Sequence, residues 1–270
     1  MDAESVLLVT QEDTIARLTL NRPRALNALD EALLHALDAA LARLEPEAAA
    51  DRVRALVLTG AGRAFSFGAD LGTLDAGDAE ARQARFGALL PVFQRAIRRL
   101  ADFSAPTLAV LNGFAAGAGL DLALACDIRV ASDRMKLASG FVGMGLVPDG
   151  GGTYHVPRLV GTGRALEMIL LGESLTAEAA LAAGLVNRVV PPAELAGAAH
   201  EIATRLAAAP RPAARLAREL VRTSGFRSFA EALGAEADAQ LECAASPAAG
   251  EALQAARRRD PARAASTAAD

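Results

Sequence analysis

The sequence predicts an α/β fold: a core of repeated β-β-α units followed by an all-helical C-terminal segment. Three observations predict it. Strand patterns alternate with helical ones through the first two-thirds of the chain, glycine-rich loops open at the ends of successive strands, and no strand pattern recurs from Pro191 onward. The 270 residues suffice for one large domain or a domain with an appendage. Alanine supplies 66 of them and aromatics only 4%, so the core must be built from Ala, Leu and Val on closely packed backbones.

Each element has a local reason. Val6 to Val9 and Thr14 to Leu20 read as a strand hairpin, the second strand alternating Ile15, Arg17 and Thr19 against Ala16, Leu18 and Leu20. Asp30 is placed to cap a helix running to about Leu44, with Leu33, Leu34, Leu37 and Leu41 on one face. A buried strand, Val53 to Thr59, opens into the glycine-rich stretch Gly60 to Leu71, and a long helix follows from about Ala79 to Asp102. The pattern recurs with a strand from Thr107 to Leu111, a loop from Asn112 to Gly119, and a helix from Leu120 to Ala125 that is apolar nearly all round and so buried. Strands Asp127 to Ala131 and Met135 to Ala138 lead to a third glycine-rich loop, Gly143 to Gly152, and to helices near Tyr154 to Val160 and Arg164 to Leu170. Four or so Ala-rich helices, broken at Pro210, Pro212 and Pro247, finish the chain. The expected division is a core of residues 1–190 and a helical segment of residues 191–270. The segment's apolar stripe, unable to bury itself alone, suggests packing against a neighbouring subunit.

Several function classes are disfavoured. A net charge of −4, with no basic block beyond Arg257-Arg258-Arg259, is not the footprint of a nucleic-acid binder. The start Met1-Asp2-Ala3-Glu4 is acidic where a signal peptide is basic, and no apolar run reaches the ~18 residues of a membrane span, so a cytoplasmic location is expected. Cys126 and Cys243 stand far apart without metal-ligand spacing and read as small apolar residues. The single lysine, Lys136, lies outside any phosphate-loop context; no G-x-S-x-G occurs, and neither Gly60-x-Gly62 nor Gly161-x-Gly163 completes a dinucleotide fingerprint.

An ordered set of motifs does point somewhere. It comprises Leu18-Thr19-Leu20-Asn21-Arg22-Pro23, Asn27-Ala28-Leu29, Val57-Leu58-Thr59-Gly60, Phe67-Gly68-Ala69-Asp70-Leu71, Asn112 to Gly119, Ala125-Cys126-Asp127, Gly145 to Thr153 and Ala183-Gly184-Leu185-Val186. Carrying this set, the chain resembles the crotonase superfamily, the enoyl-CoA hydratase/isomerase family, over almost its whole length. The resemblance implies a spiral of β-β-α turns, a C-terminal helical trimerisation segment giving a homotrimer or dimer of trimers, and an acyl-CoA thioester substrate. It implies no metal and no organic cofactor, coenzyme A being part of the substrate.

Chemistry next to a thioester passes through an enolate, whose oxygen must be met by N–H donors. The family's two donors carry over to the backbone N–H groups of Ala69 and Ala118, the latter at the mouth of the buried helix. Glycine and alanine runs also allow tight turns and close packing without any chemistry. By resemblance, Arg24, Ala25 and Asn27 lie along the pantetheine and phosphates of the substrate, Ala69, Asp70, Leu71 and Gly72 beside the adenine, and Gly117 and Phe141 line the acyl-CoA site. Arg22, Arg24 and Arg63 are candidate phosphate contacts, though each also reads as a solvated surface arginine, and Asp70 as a turn cap.

Family hydratases use two glutamates to hold water. Here the first falls on Asp121 and the second on Phe141, which cannot transfer a proton. Asp149, in Pro148-Asp149-Gly150, occupies the place where isomerases of the phenylacetate-pathway type carry an aspartate and aryl-CoA dehalogenases their nucleophile. One carboxylate suits moving a double bond better than adding water, since one base can remove a proton and return it elsewhere. A pocket made apolar by Phe65, Phe67, Phe114, Phe141 and Met144 would support this. Asp121 is read as assisting Asp149 or only orienting it, or as a cap of the buried helix, and His155 and Tyr154 as lesser candidates. The preferred reading is an isomerase. A hydratase and a non-catalytic acyl-CoA-binding homologue are the rivals; a dehalogenase is disfavoured because no histidine or tryptophan can be placed beside Asp149.

Overall fold

The computed structural model describes residues 5–74 and 77–259; the acidic start at residues 1–4 and the chain end at 260–270 lie outside the described residues. Residues up to Ala207 form one compact unit and those from Ala208 another.

The first unit opens with the expected hairpin. Strands β1 (Leu7–Glu12) and β2 (Ile15–Leu20) pair antiparallel from Leu7↔Leu20 to Glu12↔Ile15, and β2 buries Ala16, Leu18 and Leu20 while the alternate residues are only half-buried. Helix α1 (Glu31–Ala49) begins where Asp30 accepts the Leu33 N–H at 2.8 Å, and it runs through Pro46, past the predicted end, because Leu44 and Ala48 continue its buried face. Strand β3 (Ala55–Gly60) then lies parallel to β2, in register Ile15↔Ala55 to Leu20↔Gly60.

The glycine-rich loops are more structured than their composition suggested. The first contains β4 (Ala64–Ser66) and a single helical turn, α2 (Leu71–Leu74), before the long helix α3 (Ala79–Ala101), capped by Asp78. The second contains β6 (Phe114–Ala116), between β5 (Thr107–Leu111) and α4 (Ala118–Ala125). Next come β7 (Ile128–Ser132), β8 (Lys136–Ala138), α5 (Gly152–Val160), α6 (Thr162–Leu171), β9 (Leu175–Thr176), α7 (Ala177–Ala182), β10 (Arg188–Val190) and α8 (Leu195–Ala208). Two sheets result, ordered β1-β2-β3-β5-β7-β10 and β4-β6-β8-β9. The pairs β3/β4, β5/β6 and β7/β8 each give one strand to each sheet, and a helix follows every pair: this is the β-β-α spiral. Three-residue strands made of Ala, Phe and Ser are too short to display a period, which is why sequence patterning left β4 and β6 as loop.

Leucine and alanine fill the core as expected: α1, α3 and α4 pack beneath the large sheet around Leu33, Leu37, Leu100 and Leu122. A second apolar cluster joins Val57, Leu108, Val110, Val130 and Val190 of the sheet to Leu195, Ala198, Ala199 and Ala203 of α8. Helix α8 is therefore part of the first unit, and the division falls after Ala207 rather than after residue 190.

The second unit holds α9 (Arg211–Thr223), α10 (Phe229–Ala244) and α11 (Pro247–Arg259). The prolines that read as breaks are starts: Pro210 is the residue before α9, Pro212 its second position and Pro247 the first of α11, where a missing N–H costs no helical bond. Ser228 and Glu231 close a capping box on α10, and Arg215 pairs with Glu242 between α9 and α10. Val221, Phe226, Phe229 and Leu241 are exposed. Both cysteines are free thiols. No helix among the described residues is long and apolar enough to cross a membrane.

Candidate active site

The site lies where three chain segments meet. In the first, Leu26 and Asn27 both adopt left-handed backbone, φ +52° and +56°, a costly conformation for two residues running. Asn27 holds it: the side-chain oxygen accepts the Arg22 N–H at 2.9 Å, and the side-chain NH2 donates to the carbonyls of Ala61 at 2.9 Å and Ala64 at 2.8 Å. Ser66 Oγ donates to the Asn27 carbonyl. Asn27, which the resemblance placed along the pantetheine and phosphates of the substrate, is fully buried, and its side chain is engaged in these bonds within the turn.

Arg22, a candidate phosphate contact, also has internal partners. Its guanidinium is held by Asp30 at 3.1 Å, by Asp70 at 3.0 Å and by the Ala28 carbonyl, so it clamps one segment to the next rather than standing free for a phosphate. Together with the Leu29 N–H to Gly68 carbonyl bond and the Asp70 N–H to Leu29 carbonyl bond, the clamp fixes the backbone on both sides of Ala69. Arg24 and Arg63 are exposed and Ala25 is half-buried on the neighbouring turn.

The second segment runs from Phe67 to Leu71 and the third is the start of α4. They touch: a Cβ on Gly68, whose φ is +93°, would sit 2.7 Å from the Ala116 carbonyl oxygen and 3.2 Å from the Ala118 nitrogen, and one on Gly119 would sit 2.4 Å from the Ser66 carbonyl oxygen. Only glycine permits this approach. Ala118 is the first residue of α4, so its N–H has no partner within the helix. Among the described residues neither the Ala69 nor the Ala118 N–H is engaged in an internal hydrogen bond. Both residues line the same cavity.

That cavity, about 240 Å3, is otherwise walled by Phe67, Phe114, Phe141, Met144 and Leu146, with Leu71, Gly117 and Ser139 also on its lining. Phe67 and Phe114 stack with centroids 5.2 Å apart. Phe65, expected in this wall, is instead fully buried in the core, within β4, whereas Phe67 lies just past the end of that strand and is half exposed. A second chamber of about 40 Å3 lies beyond, lined by Leu29, Leu34, Phe86, Leu89, Leu90 and Phe93. Ala69, Ala118, Phe86 and Asp149 line both spaces.

Asp149 is thus the one carboxylate among the described residues lining either space. Its Oδ1 is buried without a hydrogen-bond partner, and burial pushes its carboxyl above the usual aspartate range. Asp121, 1% exposed, stands behind it: its Oδ2 accepts the Gly150 N–H at 2.9 Å. Burial pushes Asp121 up to about 7, opposed by the Gly150 hydrogen bond and reinforced by the negative charge of Asp149. It does not cap α4, since it is the fourth residue of that helix and its carboxylate faces the third glycine-rich loop. His155 and Tyr154 contact each other edge to face on α5, with the Arg158 guanidinium 3.6 Å above the tyrosine ring. Neither lines the two spaces. Sequence reasoning did not single out the chamber residues: Leu34, Phe86, Leu89, Leu90 and Phe93 read as helix faces and Leu29 as part of the Asn27-Ala28-Leu29 motif.

Comparison with known proteins agrees with this geometry. The family model described as enoyl-CoA hydratase/isomerase matches residues 10–262. The chain belongs to the enoyl-CoA hydratase/isomerase family. It is 36% identical over 245 residues to a short-chain-enoyl-CoA hydratase of Clostridium acetobutylicum, covering 90% of each protein. It is 39% identical over 202 residues to a 4-chlorobenzoyl coenzyme A dehalogenase of an Arthrobacter species, covering 75% of this chain and 72% of that one. The crystal structure of an enoyl-CoA hydratase from Bacillus anthracis superposes with a TM-score of 0.87 at 33% identity, covering 94% of this chain and 96% of the other. This family member is an enzyme of the α/β crotonase-like fold.

Proposed function

We propose that this protein is an acyl-CoA isomerase of the phenylacetate-pathway type that moves a double bond from the 3- to the 2-position of an enoyl-CoA, or carries out a related ring isomerisation. The observation that carries the reading is that Asp149, the one carboxylate among the described residues lining the cavity, has an unpaired oxygen in the space that Ala69 and Ala118 also line. Phe141 fills the place where the resemblance puts a hydratase's second glutamate.

The chemistry follows from these parts. The thioester oxygen accepts the Ala69 and Ala118 N–H groups, which meet the negative charge as it develops; one such donor typically contributes about 100- to 1,000-fold in rate. The ionised Asp149 takes a proton from C2 of the 3-enoyl group, giving a dienolate, and returns it to C4, so the double bond comes to rest between C2 and C3. The apolar walls hold water away and favour the neutral acid between the two transfers. No atom is gained or lost, so no bound water, metal or organic cofactor enters the scheme. We extend the proposal to a homotrimer or dimer of trimers, assembled through the helices after Ala207, acting in the cytoplasm.

The names of relatives favour a second reading, enoyl-CoA hydratase, which would need Asp121 or a rearranged carboxylate pair to activate water. The test is to incubate the protein and its Asp149→Asn variant separately with a 3-enoyl-CoA and a 2-enoyl-CoA and to weigh the products. Interconversion without change of mass, lost in the variant, supports the isomerase. A gain in mass of one water that survives in the variant establishes the hydratase instead, and thioester binding without any conversion establishes a non-catalytic binding protein.

A further inference from the structure

We infer that Asp121 is a positioning residue that anchors the loop bearing Asp149 and so fixes the base relative to the oxyanion donors; this rests on the reading of Asp149 as the base. The resemblance alone would make Asp121 a proton-transfer group, since it occupies the place of a hydratase glutamate. Its surroundings assign it other work. The carboxyl is buried, lines neither space, and receives the N–H of Gly150, the residue directly after Asp149. The loop backbone is seated on it: a Cβ on Gly150 would fall 2.8 Å from the Asp121 Cβ and 2.6 Å from the Phe93 ring, and one on Gly152 would fall 2.5 Å from Asp121 Oδ1. Glycines at both positions let the backbone reach the carboxyl. On the other side, Gln94 Nε2 of α3 donates to the Asp149 carbonyl at 3.1 Å. Asp149 is therefore held through its own C=O and the next N–H, leaving its side chain for the cavity.

The placement on α4 gives the anchor its consequence. Ala118 opens this helix and Asp121 follows three residues later, about 4.5 Å along the axis. One rigid turn thus carries an oxyanion donor at its first residue and the hold on the base at its fourth. The distance between the two catalytic parts is set by helix geometry rather than by a loop.

The test compares Asp121→Asn with Asp121→Leu. Asparagine retains an oxygen for the Gly150 N–H and cannot shuttle a proton; leucine has similar bulk and accepts no hydrogen bond. Two readouts are taken: hydrogen exchange in fragments spanning residues 146–154, and kcat and KM on the substrate that the wild type converts. Asparagine should keep wild-type exchange and kcat within about threefold, whereas leucine should speed exchange about tenfold or more and lower kcat by 10- to 100-fold with KM nearly unchanged, because misplacement by an ångström or less costs about that much. An asparagine variant as inactive as Asp149→Asn, with exchange unchanged, would overturn the inference and make Asp121 a proton-transfer group. Wild-type exchange in the leucine variant would overturn it as well. If the wild type performs no isomerisation, the proposed function fails while exchange still decides whether Asp121 anchors the loop.

Discussion

Gly68→Ala tests whether the proposed oxyanion hole depends on the contact between two backbone segments. The new Cβ would meet the Ala116 carbonyl oxygen at 2.7 Å, against an ordinary carbon contact of about 3.5 Å, so one segment must retreat by roughly 0.8 Å. The Ala118 nitrogen, 3.2 Å from the same Cβ, moves with it. Two terms set the stability cost: about 1–2 kcal/mol for a side chain at φ +93°, and about 1–3 kcal/mol for overpacking. A total near 3 kcal/mol lowers Tm by roughly 6–12 °C for a unit of this size. Shifting donors by most of an ångström should cost about 100-fold in kcat, with little change in KM because the thioester oxygen carries little charge until the transition state. Gly172→Ala is the control: it too has positive φ, +67°, but no atom within 4 Å of the added Cβ, so it should cost about 1 kcal/mol and leave kcat alone. Calorimetry and steady-state kinetics on both variants decide the matter. A Gly68→Ala kcat within threefold of wild type, or an equal loss in Gly172→Ala, would refute the dependence of the donors on this contact.

Other outcomes follow from the same geometry. Asp149→Asn should lower isomerisation by at least about 1,000-fold while acyl-CoA binding, measured by titration, changes less than about threefold. Because Asp149 acts ionised and burial raises its carboxyl, the wild-type pH–rate profile should fall on the acid side at a pH above the ordinary aspartate range; a profile flat down to pH 4 would contradict this. Arg22→Ala should lower kcat by an equal factor for acyl-CoA and for an acyl-pantetheine lacking the nucleotide, since the clamp acts on Ala69; a loss confined to KM for acyl-CoA would restore Arg22 as a phosphate ligand. Asp121 makes stability fall with rising pH. Its carboxyl is raised from 3.8 unfolded to about 7 folded, so between those values the folded state binds the extra proton and loses that advantage as pH rises, on the order of 4 kcal/mol in all. Tm measured from pH 4 to 8 should show this slope in wild type relative to Asp121→Asn, and parallel curves would contradict it.

Much of this was legible in the chain. Apolar periodicity located α3 nearly to the residue and the start of α1, though not its end at Ala49, and Asp30 marked the α1 cap because an aspartate before a leucine stripe has few other uses. Ala69 and Ala118 were named by the resemblance, and the structure brings them to the lining of one cavity. Legibility ended where a side chain's partner is distant along the chain. Asn27 and Arg22 resemble surface polar residues, yet their partners are Ala61, Ala64 and Asp70, which only the spiral brings near. Phe65 and Phe67 differ by two residues, which in a regular strand would share a face; the register of β4 against β6 shifts between Ala64 and Ser66, and the strand ends before Phe67, neither of which composition displays. The domain boundary failed for a related reason: α8 is as alanine-rich as the helices after it, and its place is decided by a valine face on β5, β7 and β10.

The choice between moving a double bond and adding water then turns on how many carboxylates reach the substrate. Adding water requires one group to take its proton and a second to hold it or to protonate the carbon. This cavity presents Asp149, while Asp121, one methylene shorter than the glutamate of the resemblance, ends its reach at the Gly150 N–H. Lengthening it is therefore a direct probe. Asp121→Glu would push a carboxylate against Gly150 and Gly152, which lie so near Asp121 that a Cβ on either would fall 2.8 or 2.5 Å from it, so the loop must yield or the carboxylate must turn toward Asp149. In the second case two carboxylates would share one pocket, one would hold its proton at neutral pH, and hydration of a 2-enoyl-CoA should appear as isomerisation declines. Product masses read both activities in one experiment. A variant that folds, keeps full isomerisation and adds no water would show that carboxylate count does not set the reaction's outcome.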